Sequence, residues 1–120
     1  MKTLIEYLVK RKKMAKISPT QLTLRKLKTD GWTTLAIVEH WNPFARIRQD
    51  LFGCIDILAL KDGDTLAIQC TTYNNRWARV KKISENEHLG SMRECNWTIE
   101  VWGWRKNKNK KWEVDVIDIS

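Results

Sequence analysis

The sequence has little of what several common functional classes require. It holds only 3 cysteines and 2 histidines among 120 residues. Cys54, Cys70 and Cys95 are odd in number and lack Cys-x-x-Cys spacing, which argues against a disulfide framework and against a zinc site. His40 and His88 do not stand at metal-pair spacing, and no Ser-His-Asp or Cys-His arrangement makes a convincing catalytic set. No glycine-rich phosphate loop occurs, so no ATP site is expected. No apolar run approaches the roughly 18 residues of a membrane-spanning helix. The start, Met1 to Val9, is too short and carries Glu6, which makes a poor secretory signal. The expected setting is the reducing cytoplasm, with no membrane role. Cys54 and Cys70 both lie in apolar stretches and read as core-filling thiols.

What is present in excess is positive charge, and it is unevenly placed. The formal net charge is +8. Residues 1–28 carry nine basic groups against one acid, Glu6, while the remaining thirteen basic and thirteen acidic groups cancel. A concentrated positive field suits phosphate backbones. The plainer alternative is a solvated helix face. Lys10, Arg11, Lys12, Lys13 and Lys16 are the first candidates for contact with nucleic acid.

With 120 residues the chain fits one domain, 1–120, which includes a basic N-terminal helical segment over 1–17. Residues 3–16 read as a helix with Leu4, Ile5, Leu8 and Val9 on one side. Ser18-Pro19-Thr20-Gln21 carries an N-cap, a first-turn proline and a capping-box glutamine. That helix stops at Asp30-Gly31. Trp32 to Trp41 reads as a strand, broken by Asn42-Pro43, and Arg46 to Asp50 as a polar loop. Residues 54–60 and 65–72 read as two strands joined by a hairpin turn at Lys61-Asp62-Gly63-Asp64. Asn74 or Asn75 starts a further helix, with Trp77, Val80 and Ile83 expected to face the sheet. Residues 97–104 and 112–119 read as two last strands. The order implies an α/β fold, one mixed central sheet flanked by helices.

Two polar residues interrupt this apolar pattern. Asp56 stands between Ile55 and Ile57, where a carboxylate is costly unless it is paired. A metal ion is one partner; an arginine or a backbone cap is another. Gln69 stands between Ile68 and Cys70 on the returning strand. Paired strands lie about 4.8 Å apart, so the hairpin brings the two side chains together. Oxygen donors from neighbouring strands suit a hard cation such as Mg²⁺. Cross-strand hydrogen bonding alone would also account for Gln69.

The stretch Phe52-Gly53-Cys54-Ile55-Asp56-Ile57-Leu58-Ala59-Leu60, the Asp62-Gly63 turn and Leu66-Ala67-Ile68-Gln69-Cys70-Thr71 resemble the core hairpin of PD-(D/E)XK nucleases. The resemblance covers roughly residues 18–90 and is similar to small Holliday-junction resolvases and phage-type nuclease domains. It implies a restriction-endonuclease-like αβββαβ core with an extra C-terminal strand. It also implies Mg²⁺- or Mn²⁺-dependent hydrolysis of DNA phosphodiesters, with RNA as an alternative partner and a homodimer by analogy. Asp56 matches the family's aspartate, and Gln69 matches its acid position as a variant. A strand carbonyl at Cys70 or Thr71 completes such sites in the family. Thr71 stands where the family carries a lysine. Arg76, Arg79 and Lys82 on the following helix are substitutes, and Arg79 and Lys82 share a face.

Glu39 is a further ligand candidate, ahead of Asp50; either one also suits a surface ion pair with Arg46 or Arg48. Gln21 falls where the family often carries a glutamate, although its capping role already explains it. Most of the 7 tryptophans suit the core, and Trp41 is the one expected to stack on an unpaired base. Two other readings compete with the nuclease. One is a nucleic-acid-binding module of the same fold that has lost catalysis with its lysine. The other is a partner-binding protein whose basic segment contacts acidic surfaces.

Overall fold

Ser18 opens a helix as its sequence dictates. The computed structural model describes residues 17–120; the helix expected over 3–16 and the basic residues Lys10, Arg11, Lys12, Lys13 and Lys16 lie outside the described residues. Helix α1 spans Pro19–Thr29. The Ser18 hydroxyl accepts from the Gln21 amide, and the Gln21 side-chain oxygen accepts from the Ser18 amide, both at 3.2 Å. This reciprocal pair satisfies two amides that the first turn leaves without partners. At the other end the Trp32 amide reaches back to the Leu27 carbonyl at 2.9 Å, and Gly31 takes a φ of 93°. A residue with a Cβ is strained there, so glycine ends the helix.

The chain then builds a five-stranded mixed sheet. Its strands are β1 (Thr34–Ile37), β4 (Ile57–Lys61), β5 (Asp64–Thr72), β6 (Thr98–Lys106) and β7 (Trp112–Asp118), in the spatial order β1-β4-β5-β6-β7. Pairs β1–β4, β4–β5 and β6–β7 are antiparallel, and β5–β6 is parallel. A parallel pair needs a crossover. Here it runs through a single 3₁₀ turn (Tyr73–Asn75), α2 (Arg76–Ser84) and α3 (Leu89–Glu94). Asp62 and Gly63 both have positive φ, 52° and 83°, the two-residue turn that matches strand twist in the β4–β5 hairpin.

The period-two alternation of the strands divides the core between two faces. Leu66, Ile68, Trp102 and Trp104 join Ile57 and Ala59 under α1, where Leu22 and Leu27 are buried. Ala67, Ile99 and Val101 face the other way and pack with Cys54, Ile55, Ile83, Leu89 and Met92. One polar contact crosses the first of these cores: the Trp104 indole N–H donates to the buried Thr23 hydroxyl at 2.9 Å. The Thr23 hydroxyl in turn donates to the Pro19 carbonyl at 2.8 Å. The described residues contain no helix long and apolar enough to cross a membrane.

Several expectations need correction. The strand expected over Trp32 to Trp41 is two pieces, because the sheet ladder ends at Ile37 and the chain turns away. The second piece, β2 (His40–Asn42), pairs with β3 (Ile47–Gln49) as a separate two-stranded ribbon. The polar loop expected over Arg46 to Asp50 is therefore largely strand. Asn42 makes this possible: its side-chain oxygen accepts from the Phe44 and Ala45 amides and closes the turn. The strand expected from residue 54 starts at Ile57, since residues 51–55 form a tight turn closed by a Leu51–Ile55 bridge. Trp77 does not face the sheet; it is 59% exposed, while Ile83 is buried as expected. A short helix, α3, occupies residues to which no element was assigned. Cys54 is buried and Cys70 half-buried, in keeping with core thiols, and Cys95 is exposed.

Candidate metal centre

One step beyond the Ile57–Ile68 pair of the β4–β5 hairpin stand Asp56 and Gln69. Their position follows from register, since each side chain projects from the end of the ladder next to the ribbon. Both are almost fully buried, at 3% exposure. The Gln69 side-chain nitrogen donates to Asp56 Oδ2 at 2.6 Å, and the Cys70 backbone amide donates to the same oxygen at 2.8 Å. The Asp56 amide continues the ladder by donating to the Ile68 carbonyl at 2.9 Å.

The ribbon supplies the rest of the cluster. Glu39 immediately precedes β2, and Asp50 immediately follows β3. Closing the ribbon therefore brings the two residues to its base, beside Asp56. Carboxylate oxygens of Glu39, Asp50 and Asp56 all lie within 4.8 Å of one another. The structure thus unites Asp56, Gln69 and Glu39, and adds Asp50 on equal geometric terms. The signal for Asp50 was its place at the far end of a segment whose near end is Glu39. It becomes readable only once the intervening residues are known to form a hairpin.

Three carboxylates at this spacing repel one another, and the protein relieves that in three visible ways. Burial first, then the facing Asp50 and Glu39 carboxyl groups, push the Asp56 carboxyl up to about 8, so it holds a proton at neutral pH. The Cys70 amide works in the opposite direction by donating to Asp56. Arg48 donates to Glu39 at 2.6 Å, and the Glu39 side chain is 18% exposed. The ion pair considered for Glu39 is therefore formed, and it coexists with the cluster.

Gln69 carries the most informative detail. Its Oε1 is buried and has no hydrogen-bond partner among the described residues. A buried carbonyl-type oxygen left unpaired costs about 1–3 kcal/mol. That oxygen belongs to the amide whose nitrogen holds Asp56. Rotating the terminal amide by half a turn exchanges the two atoms and presents oxygen to the carboxylates. Such an exchange is unfavourable beside bare carboxylates and favourable beside a cation. The donor set, three carboxylates and an amide oxygen, is all hard oxygen, which suits Mg²⁺ or Mn²⁺.

The surrounding cations are less evenly placed. Lys82 lines an open cleft of about 400 Å³ together with His40, Arg48, Gln49, Asp50 and Gly53. It thus shares the cleft with one member of the cluster. Arg79 is half-buried one turn earlier on α2, with no ion pair among the described residues. Arg76 is occupied elsewhere. It donates to Asp115 and to the Tyr73 carbonyl, both at 2.7 Å, and its guanidinium stacks 3.5 Å from the Tyr73 ring centre. Its stem covers Gly103, where a Cβ would come within 2.9 Å. Arg76 therefore fastens α2 to β6 and β7, which corrects its expected role as a free substitute for the missing lysine.

Thr71, at the lysine position, is buried at 5% exposure. The Cys70 thiol faces Thr23 and Thr20 of α1; burial pushes it up to about 12 and keeps it a neutral thiol. Cys70 enters the centre through its backbone amide. Gln21 is held in its capping box and takes no part in the cluster. Trp41 is 57% exposed on the ribbon. No family model, curated protein or solved structure matches the chain.

Proposed function

We propose that the chain is a metal-dependent endonuclease of the PD-(D/E)XK type that hydrolyses DNA phosphodiester bonds. The observation that carries this reading is the meeting of Glu39, Asp50 and Asp56 within 4.8 Å, next to a buried glutamine oxygen with no partner. The element order α1-β1-β4-β5-α2-β6, with an antiparallel β1-β4-β5 meander and a parallel β5–β6 pair, is compatible with the αβββαβ core of that superfamily. The strand β7 is then the C-terminal addition, and the β2–β3 ribbon is an insertion between the first two core strands.

Asp56, Asp50, Glu39 and the Gln69 oxygen would hold the cation. A bound Mg²⁺ or Mn²⁺ supplies Lewis acidity toward the scissile phosphate and lowers the pKa of a bound water. The chain's own tasks are more modest. The Cys70 amide and the buried hairpin fix the Asp56 carboxylate, so that it need not reorganise during the reaction. Lys82, at the mouth of the cleft, offsets negative charge on the phosphate. Thr71 offers no charge, which leaves that work to Lys82 and Arg79. The basic N-terminal residues would hold the DNA backbone without reading its sequence.

The absence of a lysine at Thr71 also favours a second reading. In it the fold and the cluster are retained and the protein binds nucleic acid without cutting it. The two are separated by incubating linear, nicked and branched DNA with Mg²⁺ or Mn²⁺. Cleavage that disappears in Asp56→Ala supports the enzyme. Salt-sensitive binding with no cleavage by either protein supports the binding module. Calorimetry that detects no uptake of either cation removes the nuclease.

A further inference from the structure

The β2–β3 ribbon presents an aromatic tip to solvent. Phe44 is 98% exposed, Trp41 57% and Ile47 51%, although none of them belongs to the main sheet. The tip is held in shape. Pro43 fixes its own backbone, Asn42 Oδ1 accepts from the Phe44 and Ala45 amides at 3.0 and 3.2 Å, and Arg46 closes the turn at a φ of 53°. A phenyl ring held out in water by a braced turn has already lost the chain entropy that binding would otherwise cost.

Charge decides which partner this surface fits. From His40 to Gln49 the chain contains Arg46 and Arg48 and no acidic residue; Arg48 is paired with Glu39 at 2.6 Å, which leaves Arg46 as the ribbon's arginine without an ion pair among the described residues. Trp41 stands directly across from Arg48 in the ribbon register. Exposed aromatic rings beside a guanidinium group suit unpaired bases and their phosphates. A second copy of the chain would bring like charges together at the same place. The ribbon is also tied to the carboxylate cluster, since Glu39 and Asp50 are the residues at its two feet. From Glu39 to Phe44 is five residues of chain, so the Phe44 backbone lies no more than about 17 Å from that of Glu39 at about 3.3 Å per residue. At about 3.4 Å per nucleotide step, that is within about five nucleotides.

We propose that the β2–β3 ribbon is a wedge that selects DNA containing unpaired bases. Phe44 stacks on an exposed base, Trp41 supports the adjoining strand, and Arg46, which has no ion pair among the described residues, meets the phosphates. This deepens the nuclease reading by naming its substrate class as branched, flapped or bulged DNA in preference to continuous duplex, and it rests on that reading for the position of the cut.

The test measures anisotropy of two labelled DNAs of equal length, one fully paired and one with a central flap. The full chain is used with Ca²⁺ in place of Mg²⁺, and each protein is also sedimented over a range of concentrations. Phe44→Ala is expected to lower affinity for the flapped DNA roughly 5- to 150-fold, the equivalent of about 1–3 kcal/mol for one stacked base. Affinity for the duplex should change less than about twofold, and Phe44→Trp should restore the preference. Equal losses on both DNAs, no loss on either, or a dimer that Phe44→Ala dissolves would each overturn the proposal. The two readings fail separately. A Phe44-dependent preference without cleavage in Mg²⁺ or Mn²⁺ sinks the nuclease and leaves the wedge, whereas Asp56-dependent cleavage with a preference indifferent to Phe44 sinks only the wedge.

Discussion

Replacing Asp56 by asparagine should stabilise the metal-free protein at alkaline pH while removing its response to magnesium. The carboxyl is buried against Asp50 and Glu39, with oxygens within 4.8 Å of one another. At an effective dielectric constant of about 20, two unit charges at that spacing repel by about 3 kcal/mol. Burial first, and then the facing carboxyl groups, keep a proton on Asp56 up to about pH 8 in the folded protein, against a usual value of 3.8. Between those values the folded state binds more protons than the unfolded chain, so stability falls as pH rises. This contribution is fully present below about pH 4, is lost progressively up to about pH 8, and amounts to a few kcal/mol. Asparagine fits the same place. Its oxygen can accept from Gln69 and Cys70 as Asp56 Oδ2 does, and its amide can donate toward Asp50 as the protonated acid does. Urea unfolding in EDTA from pH 5 to 9 should show a falling stability for the native protein and a much flatter profile for Asp56→Asn. With excess Mg²⁺ the native protein should gain stability by mass action, and release close to one proton near pH 7 as the cation replaces it. The variant should gain little. Parallel pH profiles for the two proteins, or equal stabilisation of both by Mg²⁺, would refute the account of the cluster.

Other substitutions test neighbouring parts of the argument. Lys82→Ala should lower cleavage by about tenfold or more, with Mg²⁺ affinity by calorimetry nearly unchanged, because Lys82 faces the cleft and is not among the cation's oxygen donors. Thr71→Lys introduces the lysine that the resemblance requires. Cleavage should rise by about one to two orders of magnitude in a single-turnover assay, while burial of the new charge should lower the melting temperature. Thr23→Val removes the hydroxyl that accepts from the Trp104 indole, leaving a buried N–H without a partner. Denaturant unfolding should show a loss of about 1–3 kcal/mol.

Much of the architecture was legible before any coordinates. The capping box at Ser18 and Gln21, the Asp62-Gly63 turn, the apolar runs of β4 and β5 and the alternation of β6 are local signals, each set by a few adjacent residues and the backbone geometry they permit. The hairpin in turn made the Asp56–Gln69 contact readable, because an antiparallel register follows from a two-residue turn. The ribbon was not legible. Its strands are three residues each, too short for alternation to register, and Asn42-Pro43 reads as a break when it is in fact the start of a turn. Trp77 was misplaced because helical spacing identifies a face only in combination with what lies opposite it. Arg76, not a core residue, took the space over Gly103.

By itself, the sequence determined the kinds of element, the turn of the central hairpin and the presence of two polar residues in apolar strands, because these depend on neighbours within a few positions. Only the tertiary structure decided that Asp50 and Glu39 join Asp56, that Arg76 is spent on packing and that Lys82 shares the cleft. Those outcomes depend on where chain segments return to in space. Charge repulsion, burial and the unpaired oxygen of Gln69 acquire meaning only when residues six or more apart in the chain are brought within a few ångströms.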